Sequence, residues 1–192
     1  MTTAIPDPRP VFAVATEWVT DLLKNTTELG APTPCAEFDT RALAGHLVGV
    51  ADRAVALAEI GTIEGVSAFP DFEGADGFAE RVARARSAWA DDALLGRPVT
   101  VPWGQVPGAG ALWGYTNEML VHGWDLAVAT RQPAEADPDA AEAMLAIAPT
   151  FLRAEIRDDP GVPFGPVVTP REGAGPTERL ANWSGRSSTG WV

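Results

Sequence analysis

Scarcity is the first feature of this 192-residue sequence. It has a single cysteine, Cys35, so no disulfide can form within the chain, which suits a reducing cytoplasm. It has one lysine, Lys24, and no basic tract; 26 acidic residues stand against 14 basic ones, for a formal net charge of −12. Such a chain is repelled by phosphate backbones and anionic lipid, which argues against nucleic acid and membrane surfaces as partners. No apolar run reaches about 18 residues, so no spanning helix is expected. The opening "MTTAIPDPRP" has no basic stretch leading into an apolar one, and no secretion signal is expected. A cytoplasmic protein fits these absences. There is also no internal repeat and no clear linker. Histidine is scarce as well, with only His46 and His122.

What is present reads as helix. Hydrophobic residues make up 46% of the chain, an ordinary share for a globular protein. In residues 9–29, Val11, Ala15, Trp18 and Leu22 recur at helical steps, with Pro10 tolerated in the first turn. Asp39 is a plausible N-cap for a second helix reaching about residue 60, with Leu43, Leu47, Val50, Ala54 and Leu57 on one face. A loop over 61–74 leads to a third helix carrying Phe78, Val82, Ala85 and Trp89. The stretch 98–111 holds three prolines and three glycines, so it predicts a short extended piece and a Gly-rich turn rather than helix. A fourth helix follows over about 110–131. A fifth starts at Asp137-Pro138, cap then first-turn proline, and runs to about 156.

Beyond residue 157 the character changes. The segment "DDPGVPFGPVVTPREGAGP" is rich in Pro and Gly, "VPFGPVV" predicts an extended edge segment, and "TERLANWSGR" predicts two helical turns. The division expected is a helical bundle over 1–157 carrying the site, with residues 158–192 as a C-terminal extension packed on it. Five amphipathic helices joined by moderate loops predict an all-α, up-and-down four-helix bundle with one additional helix.

The polar residues of the fourth helix fall in phase. At about 100° per residue, His122 lies about 40° from Glu118 and Asp125 about 20° to the other side. Their stripe is otherwise small or apolar: Ala111, Gly114, Tyr115, Val121, Leu126 and Ala129. A solvated face would carry Lys, Arg and Glu, so this is polar chemistry on an inward surface. On the second helix His46 borders the apolar stripe between Gly45 and Gly49, as Gly114 and Gly123 accompany the fourth-helix set. Glycine weakens a helix, which implies that something needs room there. Bundles build metal sites from inward side chains on facing helices. Glu118 and His122 at i and i+4, with His46 from a neighbour, would make two imidazoles and one carboxylate with positions left for water or substrate. Zn²⁺ is the first expectation; Ni²⁺ and Fe²⁺ accept the same ligands. Asp125 stays open as a ligand, a partner orienting His122, or a catalytic proton carrier.

The motifs "TPCAEFDTRALAGHLVG" (33–49) and "NEMLVHGWDLAVAT" (117–130) resemble the paired signatures of DinB-like metal-binding proteins, in the branch grouped with mycothiol-dependent maleylpyruvate isomerase. The closing "VPFGPVV…TERLANWSGR" resembles the tail of small members of that branch, so the resemblance spans about 10–186. It implies a DinB-type four-helix bundle with a divalent metal near one end, held by His46, Glu118 and His122. It also implies a thiol cofactor, mycothiol among the candidates, and metal-assisted thiol transfer or thiol-dependent isomerisation of a small electrophile. Two departures stand out. Phe38 precedes Asp39 where the family often has Trp, and only residues 158–192 follow the fifth helix where the isomerase has a larger C-terminal domain.

Physically, a divalent cation would lower the pKa of a thiol and make a nucleophile, with Asp125 or water moving protons. Arg53 or Arg186 would hold a carboxylate substrate. Cys35 has Glu37 rather than a basic neighbour nearby and reads as a buried small residue. Trp103 is placed to line a pocket entrance. A metal-dependent hydrolase and a non-catalytic metal- or ligand-binding bundle are the alternatives, and a homodimer stays open.

Overall fold

A computed structural model describes residues 5–157 and 164–192. Helix α1 (Arg9–Lys24) starts with Pro10 in its first turn and buries Phe12, Ala15, Val19, Leu22 and Leu23. The predicted stripe is therefore rotated: Val11 and Trp18 flank it rather than centre it. The helix also ends five residues before the expected 29. The Asn25 side chain donates to the Asp21 carbonyl and the Thr26 hydroxyl to the Leu22 carbonyl. Short polar side chains that take the last carbonyls compete with helix propagation.

Helix α2 (Thr40–Glu59) is capped as its sequence predicts: the Asp39 carboxylate accepts from the Ala42 N–H at 2.8 Å. Helix α3 (Ala75–Ala88) buries Phe78, Val82 and Ala85, and Trp89 just beyond it donates from Nε1 to the Ala54 carbonyl of α2. A single turn α4 (Ala93–Gly96) leads into an antiparallel hairpin, β1 (Pro98–Val101) and β2 (Gly104–Pro107). The Gly-rich turn expected there is thus half of a paired ribbon, with Gly104 at φ 124° closing it.

Helix α5 (Gly108–Ala129) is the central rod; almost every residue on it is buried. It packs on α1 and α2, and both of those pack on α3, which closes a four-helix ring of α1, α2, α3 and α5. Each large core side chain, Trp124, Phe12, Leu112 or Met119 among them, contributes roughly 1.5–3 kcal/mol by leaving water. Helix α6 (Pro138–Phe151) starts at the Asp137 cap and stops before the expected 156. Pro149 in its last turn has no N–H to give, and the chain continues as a 3₁₀ turn over Ala154–Ile156.

The expected edge strand in "VPFGPVV" is not found in its described residues, 164–168; residues 162 and 163 lie outside the described set. Pro166 and Pro170 lack donors, and the segment is pinned instead by the Val168 N–H on the Asn182 carbonyl at 3.0 Å. Helix α7 (Pro176–Trp183) supplies the two turns predicted from "TERLANW" and lies on α5 and α6. Its free N–H groups at Thr177 and Glu178 are accepted by the Glu135 carboxylate at 2.9 and 3.1 Å. Among the described residues no helix is long and apolar enough to cross a membrane.

Candidate metal centre

His46 on α2 and Glu118 and His122 on α5 meet between the two helices. Glu118 Oε2 stands 3.2 Å from His46 Nε2 and 3.3 Å from His122 Nε2. All three ligand atoms lie within 4.8 Å of one another. Atoms bound about 2.0–2.2 Å from one tetrahedral zinc stand about 3.3–3.6 Å apart, so the two short spacings fit that geometry with little movement.

The far side of each imidazole decides what its near side can do. His46 Nδ1 faces the Ala68 carbonyl at 3.3 Å, and His122 Nδ1 faces Asp125 Oδ2 at 3.0 Å. Carbonyl and carboxylate oxygens only accept, so each Nδ1 carries its hydrogen and donates. Both Nε2 atoms are then left to point lone pairs at the Glu118 carboxylate. Acceptors at such distances need a proton or a cation between them. Without metal, the proton resides at His122: burial pushes its imidazolium down, but Asp125 and Glu118 outweigh burial and raise it to about 9. Burial pushes the Glu118 carboxyl up, yet its imidazole neighbours, His122 before His46, outweigh burial and hold it well below the usual carboxylate range.

Asp125 is wholly buried and has a second partner that spacing did not reveal. Arg186, from the tail after α7, donates from Nε to both Asp125 oxygens at 3.1 and 3.0 Å. Arg186, expected as a substrate anchor, thus has its Nε–H committed to Asp125. The tail also changes the surroundings of Cys35, which belongs to a second group with His122 and Asp125 within 4.8 Å. Its neighbours are therefore a histidine and, through space, Arg186, which the local sequence did not show. Burial still pushes the Cys35 thiol up, against the pull of Arg186, so it stays a thiol. A cation in this second group would compete with the guanidinium for Asp125, so the group of His46, Glu118 and His122 is the better seat.

The glycines explain how the site is shaped. A Cβ on Gly45 would come 2.6 Å from the Pro70 carbonyl oxygen, and one on Gly49 would come 2.5 Å from that of Ala68. The room on α2 is filled by the backbone of the 61–74 loop, and this approach delivers the Ala68 carbonyl to His46. Gly123 makes space for the Trp18 ring and Gly114 for the Trp103 ring. Phe38 and Phe69 line the mouth, with ring centroids 5.4 and 5.3 Å from that of His46. Phe38 also reaches His122 at 6.0 Å. Phe69 is 59% exposed.

Comparison with known proteins bears on the family and the fold. The model of the mycothiol maleylpyruvate isomerase N-terminal domain matches residues 12–127. An uncharacterised protein of Mycobacterium tuberculosis, found alike in strains CDC 1551 / Oshkosh and ATCC 25618 / H37Rv, is 33% identical over 161 residues, covering 83% of this chain and 86% of the relative. The crystal structure of the mycothiol-dependent maleylpyruvate isomerase superposes with a TM-score of 0.54 at 17% identity, over 78% of this chain and 68% of that one, which speaks to the fold. The all-α bundle is of the DinB-like type, and the chain belongs to the family of the mycothiol maleylpyruvate isomerase N-terminal domain.

Proposed function

We propose that the protein binds one divalent metal through His46, Glu118 and His122 and acts as a thiol-dependent isomerase- or transferase-like enzyme on a small electrophile, with mycothiol as the thiol. The observation that carries this reading is the convergence of two Nδ1-anchored imidazoles on one carboxylate at 3.2 and 3.3 Å. Family membership and the fold shared with the mycothiol-dependent isomerase support the choice of a thiol over a hydrolytic water. Zinc is the preferred ion, because two imidazoles and a carboxylate form a common catalytic zinc set.

Bound metal would supply positive charge that stabilises a thiolate at neutral pH. The chain's own residues do the rest. His46 and His122 present fixed nitrogen lone pairs, oriented by Ala68 and Asp125. Glu118, held ionised, offsets part of the metal's charge. Phe38 and Phe69 shield the mouth and exclude water from the thiol. Asp125 serves as a positioning residue, since it is fully buried and both its oxygens are occupied.

Metal analysis of purified protein after zinc loading tests the site. One zinc per chain is expected, falling below about one tenth in H46A and E118Q. Equal zinc in wild type and both variants would overturn the site. Turnover of maleylpyruvate with and without mycothiol then tests the thiol: equal rates in both would point to a hydrolase.

A further inference from the structure

Away from the candidate metal centre, a cavity of about 490 Å³ opens where the ends of α1 and α5 meet the C-terminal residues. Asn25, the C-cap of α1, and Thr130, the C-cap of α5, both line it, and so do Glu28, Arg131 and Trp191. None of the residues around the metal centre lines it. Thr130 lies eight residues beyond His122, roughly 12 Å along the helix axis, so the two places are distinct.

Two observations set this cavity apart from a chance depression. The first is the backbone at Arg131. Its φ is 58°, and it is the one non-glycine residue at positive φ among the described residues. The Gln132 N–H reaches back to the Ala127 carbonyl at 2.8 Å, and the Arg131 N–H to that of Val128 at 3.3 Å. Glycine ordinarily takes the left-handed position of such a helix ending, because a side chain there is strained. A charged residue held in that position implies work for its side chain. The second observation is charge. Arg131 and Glu28 line one cavity with opposite signs, yet among the described residues neither forms an ion pair. Their charged atoms therefore stand more than 4.0 Å apart.

A plain anion here would meet Glu28 and the carbonyl ends of two helices, where the backbone dipoles are negative; a plain cation would meet Arg131. A ligand with both charges satisfies both sides. Its carboxylate takes the Arg131 fork, and its ammonium lies by Glu28 and the helix ends. Val128 and the half-buried Trp191, which pack in one apolar cluster, supply a wall for a hydrocarbon side chain. We propose that this cavity binds a small zwitterion, an α-amino acid with an apolar side chain. The net charge of −12, which disfavours a plain anion, does not oppose a zwitterion. The site stands apart from the metal centre and does not rest on it.

Calorimetric titration of the full chain with L-leucine, leucinamide and N-acetyl-leucine tests the site. Leucinamide lacks the carboxylate and N-acetyl-leucine the ammonium, so wild type is expected to bind leucine at least about tenfold more tightly than either. R131Q is expected to weaken leucine at least about tenfold and to stop distinguishing it from leucinamide. E28Q is expected to weaken it about threefold to tenfold and to stop distinguishing it from N-acetyl-leucine. R131G separates binding from folding: it should keep or raise the melting temperature, because glycine is unstrained at that φ, and still lose leucine. Leucine affinity in R131G equal to that of wild type overturns the site. So does a wild type that binds no leucine, or one that binds leucinamide as tightly as leucine. None of these readouts depends on zinc, so the metal reading can fail while this site holds, and the reverse.

Discussion

At the scale of single residues, the site is a question of where hydrogens sit. His122 is flanked by Asp125 and Glu118, and the pair of carboxylates raises it to about 9 in the metal-free chain, against 6.5 for an ordinary histidine. A metal on Nε2 must displace that proton. Zinc affinity is therefore expected to rise about tenfold per pH unit from pH 7 towards 9 and then level. Competition with a chelator across that range checks this; a flat profile would mean that His122 gives up no proton. Stability of the metal-free chain should run the other way. A pKa raised by folding contributes fully below the unfolded value and is lost as pH rises through the folded one, so the window of loss is about 6.5 to 9. The companion prediction concerns Asp125. D125N removes the charge that holds the His122 hydrogen on Nδ1, and zinc affinity should drop by about 10- to 100-fold with stoichiometry still one. Loss of all zinc in D125N would instead identify Asp125 as a ligand.

At the scale of elements, glycine sets the distances. Gly45 and Gly49 let the 61–74 loop lie against α2 so that Ala68 meets His46. G49A is expected to push the Ala68 carbonyl away, destabilise the fold by about 1–3 kcal/mol and lower zinc affinity as His46 loses its orientation. Urea denaturation beside zinc titration checks both; an unchanged affinity would show that the loop packs without orienting the ring. This is also where the limits of reading the chain become physical. Helical phase placed Glu118, His122 and Asp125 on one face, and glycines beside His46 marked a close approach, because both are local properties of a 3.6-residue repeat. What approached was a loop carbonyl, and a backbone atom has no side-chain signature. Arg186 was invisible as a partner of Asp125 because 61 residues separate them. The shortened ends of α1 and α6 and the missing strand at 164–168 come from polar capping side chains and prolines, whose effect depends on which carbonyls or neighbouring strands are near.

At the scale of the whole molecule, the tail is tied to the centre of the bundle through one buried charge pair. Glu135 accepts from the N-terminus of α7, Leu180 and Ala181 enter the core, and Arg186 then reaches Asp125. Asp125 has no exposed surface and the Arg186 side chain only 14%. Removing one member leaves the other in a poor medium for a lone charge, so R186Q should cost about 3–5 kcal/mol in urea denaturation. D125N alone leaves a guanidinium near the surface, which water can partly reach, and should cost less. The double variant D125N/R186Q removes both charges, and its loss should fall well short of the sum of the single losses. Additive losses would mean that the tail is merely adjacent to the site. A coupling would make the 176–192 segment a working part of the metal centre. In that case R186Q should lower zinc affinity as D125N does, because an Asp125 no longer held by the Arg186 N–H is free to turn away from the His122 hydrogen.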